Sequence, residues 1–157
     1  MAKYTFVTHW KFDAPLDKVW AEIRNMDAWP EWWKYVKSVE IIKNGNENDI
    51  GSVRRITWTT ALPYELTFDS ELVSVDFQKR MEGIAYGELT GVGIWTFTAD
   101  ENSTHVRYDW IVETTKKWMN LFSPIAKPLF KWNHDKVMDA GFEGLQQRLN
   151  PYMIPPL

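Results

Sequence analysis

His134 is the one histidine of three whose neighbours form an apolar pattern. In the segment FKWNHDKVMDAGFEGL, residues 130–145, a helical turn of about 100° per residue places it in a stripe with Phe130, Val137, Met138, Gly141 and Leu145. Asn133 lies at the stripe's margin. A buried imidazole must find a hydrogen-bond partner or destabilise the fold by about 1–3 kcal/mol. The commoner arrangement is a core histidine bonded to a tyrosine, a tryptophan or a backbone group. The functional alternative is a side chain that lines a pocket, bonds a ligand oxygen, or moves a proton near neutral pH. Arg54 shares a strand face with Ile56 and Trp58, where a guanidinium could hold a carboxylate or phenolate. Against that, long cationic side chains often bury only their stems and keep the charge in water. Tyr86 and Tyr108 could donate to a carbonyl. An acid/base, an enolate-stabilising cation and a phenol would together suit an aldol-type cyclisation or a dehydration.

No local motif ties these groups to other chemistry. His9, His105 and His134 fall on three elements without ligand spacing, so no metal site is expected. The absence of cysteine excludes disulfides, a thiolate nucleophile and a Cys-ligated metal. There is no nucleophile elbow and no HExxH, and glycines 87, 91 and 93 sit inside a strand hairpin rather than in a phosphate-binding loop. Any catalysis is therefore expected to use no cofactor. Lys plus Arg number 18 against 21 Asp plus Glu, a net charge of −3, and no basic run tracks a phosphate backbone. Nucleic acid is not an expected partner. The stretch 89–99 is far shorter than the roughly 18–20 apolar residues of a membrane helix, and residues 1–6 lack the flanks of a signal peptide. No integral membrane segment and a cytoplasmic location are the expectations.

The chain of 157 residues suits one domain over residues 1–157. Tyr4, Phe6, Thr8, Trp10 and Phe12 alternate with polar or small residues, the signature of a strand with one buried face. Pro15 opens a short helix with Leu16, Val19, Trp20 and Ile23 at helical spacing. After Asn25, Asp27 is expected to cap a second short helix through Trp33, with Pro30 in its first turn. From Val36 to Glu113, turn signals at Asn44-Gly45-Asn46, Leu62-Pro63, Val75-Asp76, Gly87 with Gly91, and Asn102-Ser103 divide six strands. A long helical pattern then ends near Leu149, with Pro124 and Pro128 in its approach and Pro151, Pro155 and Pro156 near or beyond its end. Opposite His134 this helix carries Asp135, Asp139, Glu143 and Gln146, so it must lie against the sheet. A strongly bent sheet cannot close fully on one helix, which leaves room for a cavity.

Ten Trp, eight Phe and six Tyr make up 15% of the chain, and flat side chains of this kind line cavities for apolar or ring-shaped ligands as readily as they fill cores. Alternation puts Tyr108 and Trp110 inward with Val106 and Val112, pairs Trp95 with Phe97, and sets Leu66 and Phe68 with Leu72 against a polar face. In the strand from Arg80 to Tyr86 two faces compete: one with Met81, Gly83 and Ala85, which would make room, and one with Tyr86, which would offer a hydroxyl. Trp29, Trp32 and Trp33 are read as capping one end of the core. Trp118 and Trp132 are read as exposed, and Trp132, on the polar side of its helix, suggests a dimer contact or a lid.

The stretches APLDKVWAEIRNMDAWPEWW, GELTGVGIWTF, THVRYDWIVETT and WMNLFSPIAKPLFKWNHDKVMDAGFEGLQQRL, in this order over nearly the whole chain, resemble the START-related superfamily that includes polyketide cyclase-like proteins (SRPBCC). The resemblance implies an α+β helix-grip fold: a curved antiparallel sheet of about seven strands around a long C-terminal helix, with two short helices after the first strand. It also implies a deep ligand cavity and a range of roles from lipid and polyketide binding to aromatase or cyclase chemistry. The expected function is binding of a small hydrophobic lipid, quinone or polyketide-like molecule as a carrier or sensor. The alternative is a cofactor-independent cyclase, aromatase or dehydratase with His134 as acid/base. The expected ligand-contacting set is Arg54, Trp58, Leu66, Phe68, Tyr86, Trp95, Phe97, Tyr108, Trp110, Phe130, Asn133, His134, Val137 and Met138.

Overall fold

A computed structural model of the chain describes residues 3–117, 121 and 123–153; Trp118, Pro155 and Pro156 lie outside the described residues. Strand β1 (Lys3–Phe12) buries the face that carries Tyr4, Trp10 and Phe12 and leaves His9 exposed. Helix α1 (Leu16–Arg24) turns Val19, Trp20 and Ile23 inward, and a 3₁₀ turn (Met26–Ala28) leads into the single turn α2 (Trp29–Trp32), with Pro30 in its first turn. Asp27 makes no cap here. Its carboxylate faces the Arg54 guanidinium, with Arg54 Nε donating to Asp27 Oδ1 at 2.8 Å, a charge-assisted bond stronger than one to a neutral backbone N–H.

Six strands follow: β2 (Val36–Lys43), β3 (Val53–Trp58), β4 (Leu66–Asp76), β5 (Arg80–Gly87), β6 (Leu89–Ala99) and β7 (Thr104–Thr114). They run as an antiparallel meander, and β1 adds to β7, giving the order β1-β7-β6-β5-β4-β3-β2. Register shifts in β2–β3 and in β4–β5 are the places where a strand bends and its twist increases. The ambiguous strand resolves by burial. In β5 Met81 and Ala85 face the core, and Tyr86 points outward.

The sheet curves around helix α3 (Ser123–Leu149), which buries Phe130, Asn133, Val137, Met138, Leu145 and Leu149 against it. Pro128 belongs to this helix rather than to its approach; it forfeits one i→i−4 hydrogen bond within a long element. The outward face is polar only over the second half. Over the first half it carries Ile125, Leu129 and Trp132, all exposed.

Two glycines let the short helices approach α3. A Cβ on Gly141 would meet the Trp33 indole at 2.5 Å, and one on Gly144 would collide with the backbone carbonyl of Trp32. A side chain can shift; a carbonyl held in a helix cannot. Gly144→Ala should therefore lower stability by about 1–3 kcal/mol, the usual cost of overpacking, read as a drop in urea midpoint with an unchanged slope.

Candidate functional site

Between the inner face of α3 and the sheet lies a cavity of about 110 Å³ with a mostly aromatic wall. Strand alternation supplies Tyr4 and Phe6 from β1, Trp58 from β3, Leu66 and Phe68 from β4, Leu89 and Trp95 from β6, and Tyr108, Trp110 and Val112 from β7. Helix α3 supplies Phe130, Asn133, His134, Val137 and Met138, and α2 with the residue after it adds Trp29 and Trp33. Stacking fixes the wall: Tyr108 lies 4.1 Å from the Trp95 ring centroid, and the His134 imidazole lies 4.1 Å from Phe6 with the planes 11° apart.

Within this apolar wall, Tyr4 Oη, Trp58 Nε1 and His134 Nδ1 are buried and have no hydrogen-bond partner among the described residues. His134 was expected to find an internal partner, and at Nδ1 it does not. Asp135 Oδ1 is 3.8 Å away, beyond hydrogen-bond reach. Burial lowers the imidazole pKa to about 4, against a smaller opposing pull from Asp135. The ring is thus neutral at physiological pH, a hydrogen-bonding group rather than a proton reservoir, and this weakens its part as an acid. Burial likewise pushes the Tyr108 phenol far above its ordinary range, so it stays neutral.

Asn133 lines the cavity but its amide is committed elsewhere. Oδ1 accepts from the Ala61 N–H at 2.9 Å, and Nδ2 donates to Tyr64 Oη at 2.9 Å. It clips the β3–β4 loop to α3.

A second cavity, of about 150 Å³, adjoins the first and shares Trp29, Trp58, Phe68, Trp95, Tyr108 and Trp110 with it as a common wall. Arg54 opens here and not in the first cavity. Its side chain is 13% exposed, paired with Asp27 through Nε, and its Nη1 is buried without a partner. The expectation of a guanidinium in water is therefore corrected: a carboxylate on the neighbouring 3₁₀ turn holds it at the wall. Two further members of the expected set leave the site. Tyr86 is 43% exposed, with its hydroxyl 3.4 Å from Glu71 Oε1. Phe97 is buried edge-on against Trp20, at 5.0 Å, away from both cavities.

The wall includes residues the sequence reading did not place in the site. Tyr4 and Phe6 share the inward face of β1 and were within reach of the alternation argument. Thr60 and Tyr64 come from a loop, and no periodicity marks them.

Two outcomes follow from this geometry. Asn133→Ala should cost about 1–3 kcal/mol by stranding its partners and should speed backbone hydrogen exchange at residues 59–65. For His134, the unfolded imidazole takes a proton near pH 6.5 and the folded one only near pH 4. Stability is therefore full above about pH 6.5 and falls as acid is added across that window, by up to about 3 kcal/mol. Denaturant unfolding at pH 7.5 and pH 4.5 should show this loss, and His134→Gln should remove most of it.

Among the described residues, no helix is long and apolar enough to cross a membrane, and no cluster of three or more His, Cys, Asp or Glu side chains could hold a metal ion. No curated protein matches the sequence significantly. Solved structures similar to this one include a START superfamily protein from Mycobacterium smegmatis, 12% identical with a TM-score of 0.76, over 94% of this chain and 97% of that one. The Zhui aromatase/cyclase from Streptomyces sp. R1128 is 15% identical with a TM-score of 0.76, over 95% and 94% of the two chains. The major latex-like protein 151 of Panax ginseng is 10% identical with a TM-score of 0.69, over 98% and 99%. At such identities the likeness is one of fold. A family model described as "Polyketide cyclase / dehydrase and lipid transport" matches residues 3–150, nearly the whole helix-grip unit and both cavities, and the chain belongs to that family.

Proposed function

We propose that residues 1–157 form one ligand-binding unit, which holds a small, ring-containing hydrophobic molecule with oxygen substituents in the first cavity, as a carrier or sensor. The observation that carries this reading is the pairing of an aromatic wall with three unpartnered polar atoms, Tyr4 Oη, Trp58 Nε1 and His134 Nδ1. Each buried polar group left unmatched destabilises the fold, and an oxygen-bearing ligand would satisfy it where a plain hydrocarbon would not. A quinone or an aromatic polyketide-like molecule has both halves of that chemistry. A lipid with a polar head is the remaining member of the class.

A second reading, a cofactor-independent cyclase or dehydratase, draws on one observation: Tyr108, His134 and Trp58 line the same cavity. There His134 would act as a neutral base and Tyr108 as a neutral donor. Its weakness is that, among the described residues, the carboxylate nearest His134 Nδ1 is Asp135 at 3.8 Å, too far for the hydrogen bond that would orient the ring for base catalysis.

Native purification, denaturation and solvent extraction followed by mass spectrometry should recover a stoichiometric small molecule with at least one carbonyl or hydroxyl. Added back, a quinone or aromatic ligand should quench tryptophan emission, since Trp29, Trp33, Trp58, Trp95 and Trp110 line the space. His134→Phe should keep the fold and weaken binding about tenfold, the loss of roughly one hydrogen bond. Conversion of the added ligand to a new product, abolished by His134→Phe, would replace the carrier reading with the enzymatic one.

A further inference from the structure

The second cavity owes its room to small residues on the sheet. Gly83 and Gly93 face each other across β5 and β6, and Ala85 lies on the same inner face. The space of about 150 Å³ is of the size that takes up a single benzene ring, roughly 150 Å³. Trp29, Trp58, Trp95 and Trp110 supply the aromatic part of its wall, and the groups around Arg54 supply the polar part.

Each charged side chain on that wall has a partner, but one donor does not. Arg24 is committed to Asp49 at 3.5 Å and to the Asn48 carbonyl at 2.9 Å. Glu82 pairs with Arg80 at 3.0 Å. Arg54 donates to Asp27 through Nε at 2.8 Å and through Nη2 at 3.5 Å, which leaves Nη1 buried with no acceptor among the described residues. A guanidinium keeps its proton, so this end of the cavity cannot escape the mismatch by losing charge. A buried donor left unmatched on a charged group is among the costlier defects of a fold.

Nη1 therefore calls for an acceptor, and the wall decides which kind. Asp27, Asp49 and Glu82 already stand against Arg24 and Arg54 there, with no positive charge to spare. A carboxylate at Nη1 would share one guanidinium with Asp27 in a partly enclosed space, where like charges repel more strongly than in water. A neutral carbonyl oxygen takes the same hydrogen bond without that repulsion, and an attached aromatic ring suits the tryptophan side of the wall.

We propose that the second cavity is a binding site for a neutral aryl carbonyl group, whose oxygen accepts from Arg54 Nη1, and that Asp27 sets the preference for a neutral group by offsetting the charge of Arg54. Asp27 touches Arg54 and not the ligand, so its part is to fix the charge and direction of the donor. The site does not rest on what the first cavity holds.

Three probes of one shape and different oxygen chemistry test this: acetophenone, benzoate and isopropylbenzene, each titrated into the full chain carrying ¹³C-methyl methionine. Met26 and Met81 line the second cavity and not the first, while Met138 lines the first and not the second, so the methyl signals report the two sites separately. Acetophenone should shift Met26 and Met81 saturably and bind there at least about tenfold more tightly than isopropylbenzene, the worth of one hydrogen bond to a charged donor. Benzoate should not compete at pH 7. Arg54→Lys keeps a cation for Asp27 but lacks the forked second arm; it should weaken acetophenone about tenfold at Met26 and Met81 and leave the Met138 response unchanged. Asp27→Asn frees the charge of Arg54 and should raise benzoate affinity at least about tenfold. Acetophenone shifts confined to Met138, equal binding of acetophenone and isopropylbenzene, or benzoate binding the unaltered chain more tightly than acetophenone overturns the proposal, whether or not the variants fold. A folded Asp27→Asn chain that still excludes benzoate overturns the part given to Asp27.

Discussion

The seat of Trp33 on helix α3 is the contact on which the rest of the molecule depends. Its indole Nε1 donates to the Val137 carbonyl at 2.8 Å, and its ring rests where Gly141 has no side chain. Around that indole stand Trp10, Trp29, Trp32 and Trp58, with centroids between 5.0 and 5.5 Å from it. Trp10 and Trp58 meet it edge-on, Trp29 is tilted and Trp32 is stacked on it, arrangements that suit aromatic quadrupoles and bury large areas with few rotamers. One residue thereby binds the segment after β1, the far edge of the sheet and the C-terminal helix into one body.

The cavities are a consequence of that packing. Rings held edge to face leave gaps that aliphatic side chains would fill, and a sheet bent round one helix has no second helix to occupy the remaining space. The wall shared by the two cavities is built of the same rings, so packing and site are one structure. Their characters differ. The first is lined mostly by rings, among them those of Tyr4, Trp58 and His134, each with a buried polar atom that has no partner among the described residues, while the second opens onto the Arg54–Asp27 pair and the polar segment near Asp49 and Ser52. His134 belongs to the first, and its stacking on Phe6 explains why burial rather than charge sets its protonation.

Much of this was legible in sequence where a single face is buried. Period-two alternation placed the inward rings of β1, β4 and β7, because a one-residue slip would expose the whole set. The failures have equally local causes. Both faces of β5 carry polar and apolar residues, so only the neighbouring strands could decide that Tyr86 points out. Arg54 pointed inward as its register required, but its partner is Asp27, distant in sequence, and that pairing also removed Asp27 from its expected cap. Phe97 faces the core correctly and still misses the site, since alternation gives a side of the sheet and not a height along it.

By itself the sequence determined the order of elements, the inner faces, and the exclusion of thiol and disulfide chemistry, because periodicity and composition act within a few residues. Only the tertiary structure decided which inward residues share one cavity and which polar atoms there lack a partner. It also decided that the outer face of α3 is apolar at Ile125, Leu129 and Trp132, ahead of its polar stretch at Asp135, Asp139 and Glu143. These are relations between groups far apart in the chain, and they exist only once Trp33 has brought the helices and the sheet together.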